Sequence, residues 1–201
     1  MRKQMIDAFS GLGGASEAFI HDPKWDVVRI EKNIELLGEV PRTWFADITK
    51  IVEDGRWLSI KRPVELLWGS PPCRDFSQAY SAPAPTAKRE GREFEPDMSL
   101  LEAWLDLRDK LQPRYWVLEN VVGAIKHFRP YVGEPSQIIG PFVLWSNIPE
   151  IIMDRSWSHR KEDEDVWSSN PLRANIKAKI PIELSEAVKE SVQTKTMRDY
   201  E

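Results

Sequence analysis

The single cysteine of this 201-residue chain, Cys73, follows Gly69-Ser70-Pro71-Pro72 at the end of an apolar run, residues 64–68. An ionised thiol is a strong nucleophile, and here it would stand on a stiff loop. Two prolines fix φ and restrict the residues before them, while Gly69 lets backbone approach a ligand closely. A lone cysteine also serves as a small buried hydrophobe, and its position alone leaves both roles open. A carboxylate has a similar place. The apolar run at 115–118 ends in Glu119-Asn120-Val121. A third stretch, Phe9-Ser10-Gly11-Leu12-Gly13-Gly14, turns on glycines after an apolar run at 4–9. A strand, a glycine turn and a helix make a cradle for nucleotide-like cofactors, although glycines also make plain tight turns. Glu31 closes the next apolar run, where such folds hold ribose hydroxyls; a solvated surface Glu is the other reading.

These residues need elements to hold them. Short continuous apolar runs bounded by turn residues read as parallel strands covered on both faces. The sequence predicts strands at 4–9, 25–30, 43–46, 64–68, 115–118 and 142–145. In open α/β sheets, ligands bind at the carboxyl ends of such strands. Helices are expected over 15–20, from Asp47-Ile48 to about Trp57, and over 99–111. In the last of these, Leu100, Trp104, Leu107 and Leu111 share a face, Asp97 or Ser99 caps, and Pro113 stops the helix. Leu184, Val188 and Val192 mark a final helix, and residues 194–201 form a polar tail. Residues 146–180 show no clear period. Residues 78–96 carry Ala, Pro, Ser, Lys, Arg and Glu without apolar period, and the expectation is a long mobile loop. Its Lys88, Arg89 and Arg92 suit phosphate contacts, or equally a solvated charge run. With no repeat or linker, the expectation is one Rossmann-like α/β domain over 1–201 with a mostly parallel sheet.

The chain is 41% hydrophobic and 30% charged, which suits one globular core. A net charge of -4 argues against strong general affinity for nucleic acid, so any basic binding face must be local. No apolar stretch approaches a membrane span, and the opening residues lack the apolar centre of a signal peptide. One cysteine cannot close an internal disulfide, which fits a cytoplasmic location. His21, His127 and His159 are scattered without metal-ligand spacing, so no metal site is expected. Some of the nine tryptophans suit rigid contact surfaces.

Together the motifs resemble the cytosine-5 DNA methyltransferases, which use S-adenosylmethionine (AdoMet). Asp7-Ala8-Phe9-Ser10-Gly11-Leu12-Gly13-Gly14 is similar to the first cofactor motif, and Glu31 to the ribose-binding acid. Phe45-Ala46-Asp47-Ile48 resembles the segment whose Asp meets the adenine. Gly69-Ser70-Pro71-Pro72-Cys73-Arg74-Asp75-Phe76-Ser77 resembles the catalytic Pro-Cys loop, with Arg where Gln is usual. Glu119-Asn120-Val121 is similar to the motif that holds the target cytosine. The stretch 142–147 faintly resembles a late strand of the eukaryotic de novo branch, and 180–185 the closing motif that folds back beside the first.

The resemblance implies a Cys73 nucleophile and a Glu119 that grips the flipped base. It implies AdoMet held by Phe9 to Gly14, Glu31, Asp47 and Ile48, with Pro72 and Leu100 on the remaining wall. Ser77, Asn120, Val121, Lys88, Arg89 and Arg92 would serve the substrate, and residues 78–96 would close over it. The implied substrate is DNA, with RNA as the alternative because one branch of the family methylates tRNA. The pattern also departs from the family. Its usual Gln-x-Arg-x-Arg segment reads Gln137-Ile138-Ile139-Gly140-Pro141 here, so Arg155, Arg160 or Arg173 would have to substitute. Lys177-Ala178 replace Gly-Asn before the closing motif, and the stretch from Asn147 to Ile180 is too short for a separate target-recognition domain. A partner protein or oligomer would then supply sequence recognition. The lost arginines and acidic charge suit a non-catalytic AdoMet-binding homologue; Cys73 and Glu119 suit an enzyme.

Overall fold

The computed structural model describes residues 2–60, 63–154, 156–159 and 169–194. Seven strands form one sheet in the order β3-β2-β1-β4-β5-β7-β6. In chain order they are β1 (Lys3–Ala8), β2 (Trp25–Glu31), β3 (Thr43–Phe45), β4 (Val64–Gly69), β5 (Tyr115–Val121), β6 (Gln137–Ile139) and β7 (Phe142–Ser146). The first five run parallel, and β7 and β6 are antiparallel to their neighbours. The helices are α1 (Glu17–Ile20), α2 (Ile48–Glu53), α3 (Pro83–Arg89), α4 (Ser99–Leu111), α5 (Ile125–Val132), α6 (Arg173–Ala178) and α7 (Ile182–Gln193). This is the α/β, mostly parallel architecture expected.

The apolar runs are continuous because both faces of the sheet are covered. Met5, Leu66, Val117 and Leu144 pack with Phe19 of α1 and Leu184 and Val188 of α7. Their neighbours Ile6, Leu67, Leu118 and Trp145 face the other way, onto Ile51 of α2, Trp104 and Leu107 of α4, and Phe128 of α5. Successive strand residues point to opposite faces, so both must be apolar. The order of the strands reverses between β1 and β4. Crevices at such a switch point are where open α/β sheets bind ligands. The Ser70 amide donates to the Ala8 carbonyl at 3.3 Å, which holds the glycine turn and the cysteine loop side by side.

Four elements differ from the sequence expectation. Residues 83–89 form α3 where only a loop was expected; Pro83 and Pro85 sit near its start, and its only buried residue is Ala87. Proline presets helical φ in a first turn, and a helix that buries one alanine shows no apolar period. In α4 the buried face is Leu101, Trp104 and Leu107, whereas Leu100 and Leu111 are half-buried. Asp97 does cap this helix, accepting from the Ser99 amide at 2.8 Å. The short edge strand β6 was not foreseen, because its three residues bury too little to show a pattern. The helix expected to reach Trp57 ends at Glu53 and is followed by a 3-10 turn, Arg56–Ser59.

Candidate active site

The glycine turn follows β1 and is left-handed at Phe9 (φ 60°), Gly11 (51°) and Gly13 (74°). Phe9 is a non-glycine residue in a costly region, and such strain gathers at ligand sites. The turn is pinned from below by Arg29, which is 3% exposed. Its guanidinium donates to Ser16 Oγ (2.8 Å), the Gly13 carbonyl (3.2 Å) and the Pro41 carbonyl (3.1 Å). Ser16 in turn donates to Asp7 at 2.5 Å. Burial pushes the Asp7 carboxyl up to about 6, against the opposing pull of Ser16 and Arg29. Asp7 Oδ1 and Ser10 Oγ are buried and lack a hydrogen-bond partner among the described residues.

Gly13 plays a different part from the one its position suggests. A Cβ there would lie 2.7 Å from the Arg29 guanidinium, so the missing side chain makes room for Arg29 and not for a ligand. At Gly11, in contrast, a Cβ would meet nothing within 4 Å. Gly14 has no Cβ because Ile180 packs against it, with the Ile180 amide nitrogen 2.7 Å from where that atom would stand. Ser185 of α7 donates to the Ala15 carbonyl at 2.7 Å. The segment 180–185 therefore does lie beside the first turn.

Glu31 ends β2 with both carboxylate oxygens engaged by backbone. Oε2 accepts from the Gly11 amide and Oε1 from the Asn33 amide, each at 2.7 Å. An ionised carboxylate has about four acceptor sites, so lone pairs remain for ribose hydroxyls. Asp47 caps α2 through Thr49 (2.8 Å to its hydroxyl) and pairs with Lys32 at 2.6 Å. Burial works to raise this carboxyl, but Lys32 and Thr49 outweigh it and hold it low. Ile48 is buried behind it. Pro72 and Leu100 line one cavity of about 150 Å³ together with Pro71, Arg74, Asp75, Phe76, Asp97, Leu101 and Phe128. A nucleotide-like cofactor fits these residues: a strained glycine turn with a buried hydroxyl unpartnered among the described residues, an acid with free lone pairs, and a wall that mixes Pro72, Leu100 and Phe128 with Arg74, Asp75 and Asp97.

Cys73 is half-buried and leads into a 3-10 turn, Arg74–Phe76, whose Phe76 packs on Phe128 with ring centroids 5.0 Å apart. Glu119 is on the neighbouring strand. Leu118 lies opposite Gly69, so the carboxyl ends of β4 and β5 present the cysteine loop and Glu119 on one edge. Asn120, 1% exposed, donates through Nδ2 to the Pro71 carbonyl at 2.9 Å. Its Oδ1 accepts from the Val121 amide at 2.9 Å. Gly123 packs against the backbone of Phe76, a second seam between the two loops. Burial pushes the Glu119 carboxyl up to about 7, while a hydrogen bond from Ser70 pulls the other way.

Two of the basic residues of 78–96, Arg89 and Arg92, have partners of their own. Arg92 pairs with Glu90, and Arg89 lies over the Tyr80 ring at 3.8 Å and bonds Thr86. Lys88 is exposed, and Ser77 Oγ accepts from the Ala79 amide at 3.2 Å. Arg173 opens α6, and Arg155 and Arg160 lie outside the described residues. Among the described residues no cluster of His, Cys, Asp or Glu could hold a metal, and no helix is long and apolar enough to cross a membrane. Sequence reasoning missed Arg29, Ser16 and Ser70. Arg29 was legible from period two, since Trp25 and Val27 on the same strand face are core residues.

A family model for C-5 cytosine-specific DNA methylases matches residues 3–132. The chain belongs to that family. The match covers the glycine turn, Glu31, Asp47, the cysteine loop and Glu119, the residues gathered at one sheet edge. Among curated proteins, DNA (cytosine-5)-methyltransferase PliMCI from Paracentrotus lividus is 32% identical over 139 residues, spanning 61% of this chain and 8% of that protein. Among solved structures, the Entamoeba histolytica methyltransferase EhMeth is 14% identical, with TM-score 0.48 over 81% of this chain and 58% of its own. A DNA modification methyltransferase encoded within an E. coli prophage is 22% identical, with TM-score 0.43 over 63% and 34%.

Proposed function

We propose that this methylase-family chain transfers a methyl group from AdoMet to C5 of a cytosine in DNA, through a transient bond between Cys73 Sγ and C6 of the base. The observation that carries the reading is the joined edge of β4 and β5. Asn120 ties the Glu119 strand to the Pro71-Pro72-Cys73 loop, so a nucleophile and an acid stand on one edge beside the glycine turn.

AdoMet, when bound, supplies an electrophilic sulfonium methyl. Phe9 to Gly14 would hold it, with Glu31 on the ribose, Asp47 and Ile48 at the adenine, and Pro72 and Leu100 beside it. Cytosine C5 is a poor nucleophile on its own. Addition of the Cys73 thiolate to C6 places electron density on C5. Glu119 meets the N3 and amino edge of the ring. A carboxyl that burial keeps partly protonated at neutral pH can donate to N3 as negative charge develops there. C5 would then take the methyl, its bond to sulfur breaking to leave a neutral thioether, and loss of the C5 proton to a base, water included, would expel the thiolate and restore the ring. A stacked base cannot reach this edge, so the cytosine must leave the helix, with residues 78–96, Ser77 and Val121 around it. Lys88, Arg89 and Arg92 would meet phosphates.

The chain spans 8% of the length of the curated relative it matches. The substrate is therefore tested directly. The protein is incubated with labelled AdoMet and DNA, RNA or free cytidine nucleotide in parallel, and the nucleosides are identified by mass spectrometry. Labelled 5-methyldeoxycytidine from the DNA arm supports the proposal; label confined to RNA, or none at all, refutes it.

A further inference from the structure

Glu119 is 8% exposed, and the influences on its carboxyl among the described residues are burial and the Ser70 hydroxyl, with no charged side chain between them. The sheet register brings the two residues together. Gly69 lies opposite Leu118 and Trp68 opposite Val117, so Ser70 comes beside Glu119, on the same sheet face as Trp68. The Ser70 backbone is fixed by its amide bond to Ala8 at 3.3 Å. The fully buried Trp68 indole donates through Nε1 to Ser70 Oγ at 3.0 Å. A hydroxyl that accepts from an indole keeps its own hydrogen for another acceptor. The carboxyl next to that hydroxyl in the sheet register is that of Glu119, and Ser70 pulls its value down against burial.

We propose that Trp68 and Ser70 form a positioning relay, indole N–H to hydroxyl to carboxyl, that aims Glu119 at the target base and sets its protonation. The inference rests on the reading of Glu119 as the residue that meets the base. Ser70 is a positioning residue, since it acts through Glu119. A neutral donor holds the carboxyl in place without fixing it as an anion, as an arginine would. Around it, β7 contributes apolar Leu144 directly opposite, the loop after β4 carries Cys73, Arg74 and Asp75, and β1 carries Asp7 two strands away.

The test reads Glu119 directly. The infrared band of a protonated carboxyl, assigned as the one lost in Glu119→Gln, is titrated in the protein without DNA or methyl donor. In the wild type it should disappear with a midpoint of about 7. In Ser70→Ala the midpoint should rise by about one pH unit, the worth of one hydrogen bond to a charged group. Ser70→Thr should restore it, and Trp68→Phe, which keeps the ring and removes the donor, should raise it by less. The alkaline limb of methyl transfer should move in step. A midpoint unmoved in both Ser70→Ala and Trp68→Phe overturns the relay, and Trp68→Phe decides alone if Ser70→Ala does not fold. A wild type that shows these midpoints but methylates nothing supports the relay and refutes the proposed function.

Discussion

Asn120 Nδ2 lies 2.9 Å from the Pro71 carbonyl oxygen, and this one hydrogen bond closes the seam between the strand of Glu119 and the loop of Cys73. Both groups are buried, so neither finds a water in exchange when the other is removed. Asn120→Ala should destabilise the fold by about 1–3 kcal/mol, as a buried carbonyl left unpaired does. Methyl transfer should fall further than stability, because the loop loses its register against Glu119. Urea denaturation beside a rate measurement checks both. A stable variant with the wild-type rate would show that the seam does not position the site.

Stability should fall as pH rises from about 5 to 8. Both Asp7 and Glu119 have folded-state values above their ordinary ones, about 6 and about 7. Between the unfolded and folded values the native state holds protons that the unfolded chain has released, so the slope of stability with pH is negative. The burial cost is absent below the unfolded values and complete above the folded ones. The combined effect is on the order of a few kcal/mol. Glu119→Gln should flatten the part of the curve nearest neutrality. Denaturant midpoints that stay level from pH 5 to 8 would contradict the burial of these carboxyls.

Gly13→Ala should injure the protein through Arg29 rather than by blocking a ligand. The added Cβ meets the guanidinium at 2.7 Å, and the left-handed backbone adds strain. Together these should cost on the order of 3 kcal/mol, with AdoMet affinity lost alongside. Gly11→Ala meets no neighbour and should cost about 1–2 kcal/mol, from backbone strain alone. Thermal melts of the two variants, with calorimetric AdoMet titration, separate the cases. Equal losses in both would contradict a role for Arg29 beneath the turn.

The central strands were legible because each is a run of apolar residues covered on both faces, as Leu66-Leu67-Trp68 and Val117-Leu118 are. The glycine turn and the cysteine loop were legible because few residue types tolerate their backbones. Less visible were features that depend on distant partners. Period two places Arg29 on the core face with Trp25 and Val27, but its role beneath the turn shows only when Ser16, Gly13 and Pro41 fold around it. Ser70 reads as a small residue in a turn until the Trp68 indole and Glu119 arrive on either side. The α3 helix buries one residue, so its sequence carries no period to read.

Lys32 and Asp47 bear on the adenine end of the cofactor site. Their 2.6 Å pair occupies Oδ2 of Asp47, while Thr49 occupies Oδ1. Asp47→Ala should remove the α2 cap and cost about 1 kcal/mol. It should also weaken AdoMet binding by a larger margin than the loss of a cap explains. Lys32→Gln should leave the cap intact and bind AdoMet at least as well as the wild type. Calorimetric titration of both variants checks this, and affinity unchanged in Asp47→Ala would remove Asp47 from the cofactor site.

The covalent step is tested most directly by trapping. DNA carrying 5-fluorocytosine, mixed with the wild-type protein and AdoMet, should become attached to Cys73, because fluorine at C5 cannot leave as the proton does. Peptide mass spectrometry should find the adduct on Cys73. Cys73→Ser should give none while still binding AdoMet, since its hydroxyl is far less readily ionised. Glu119→Gln should form the adduct roughly a hundredfold more slowly. A wild-type protein that binds AdoMet and methylates DNA, yet leaves Cys73 unmodified on the fluorinated strand, would contradict the account.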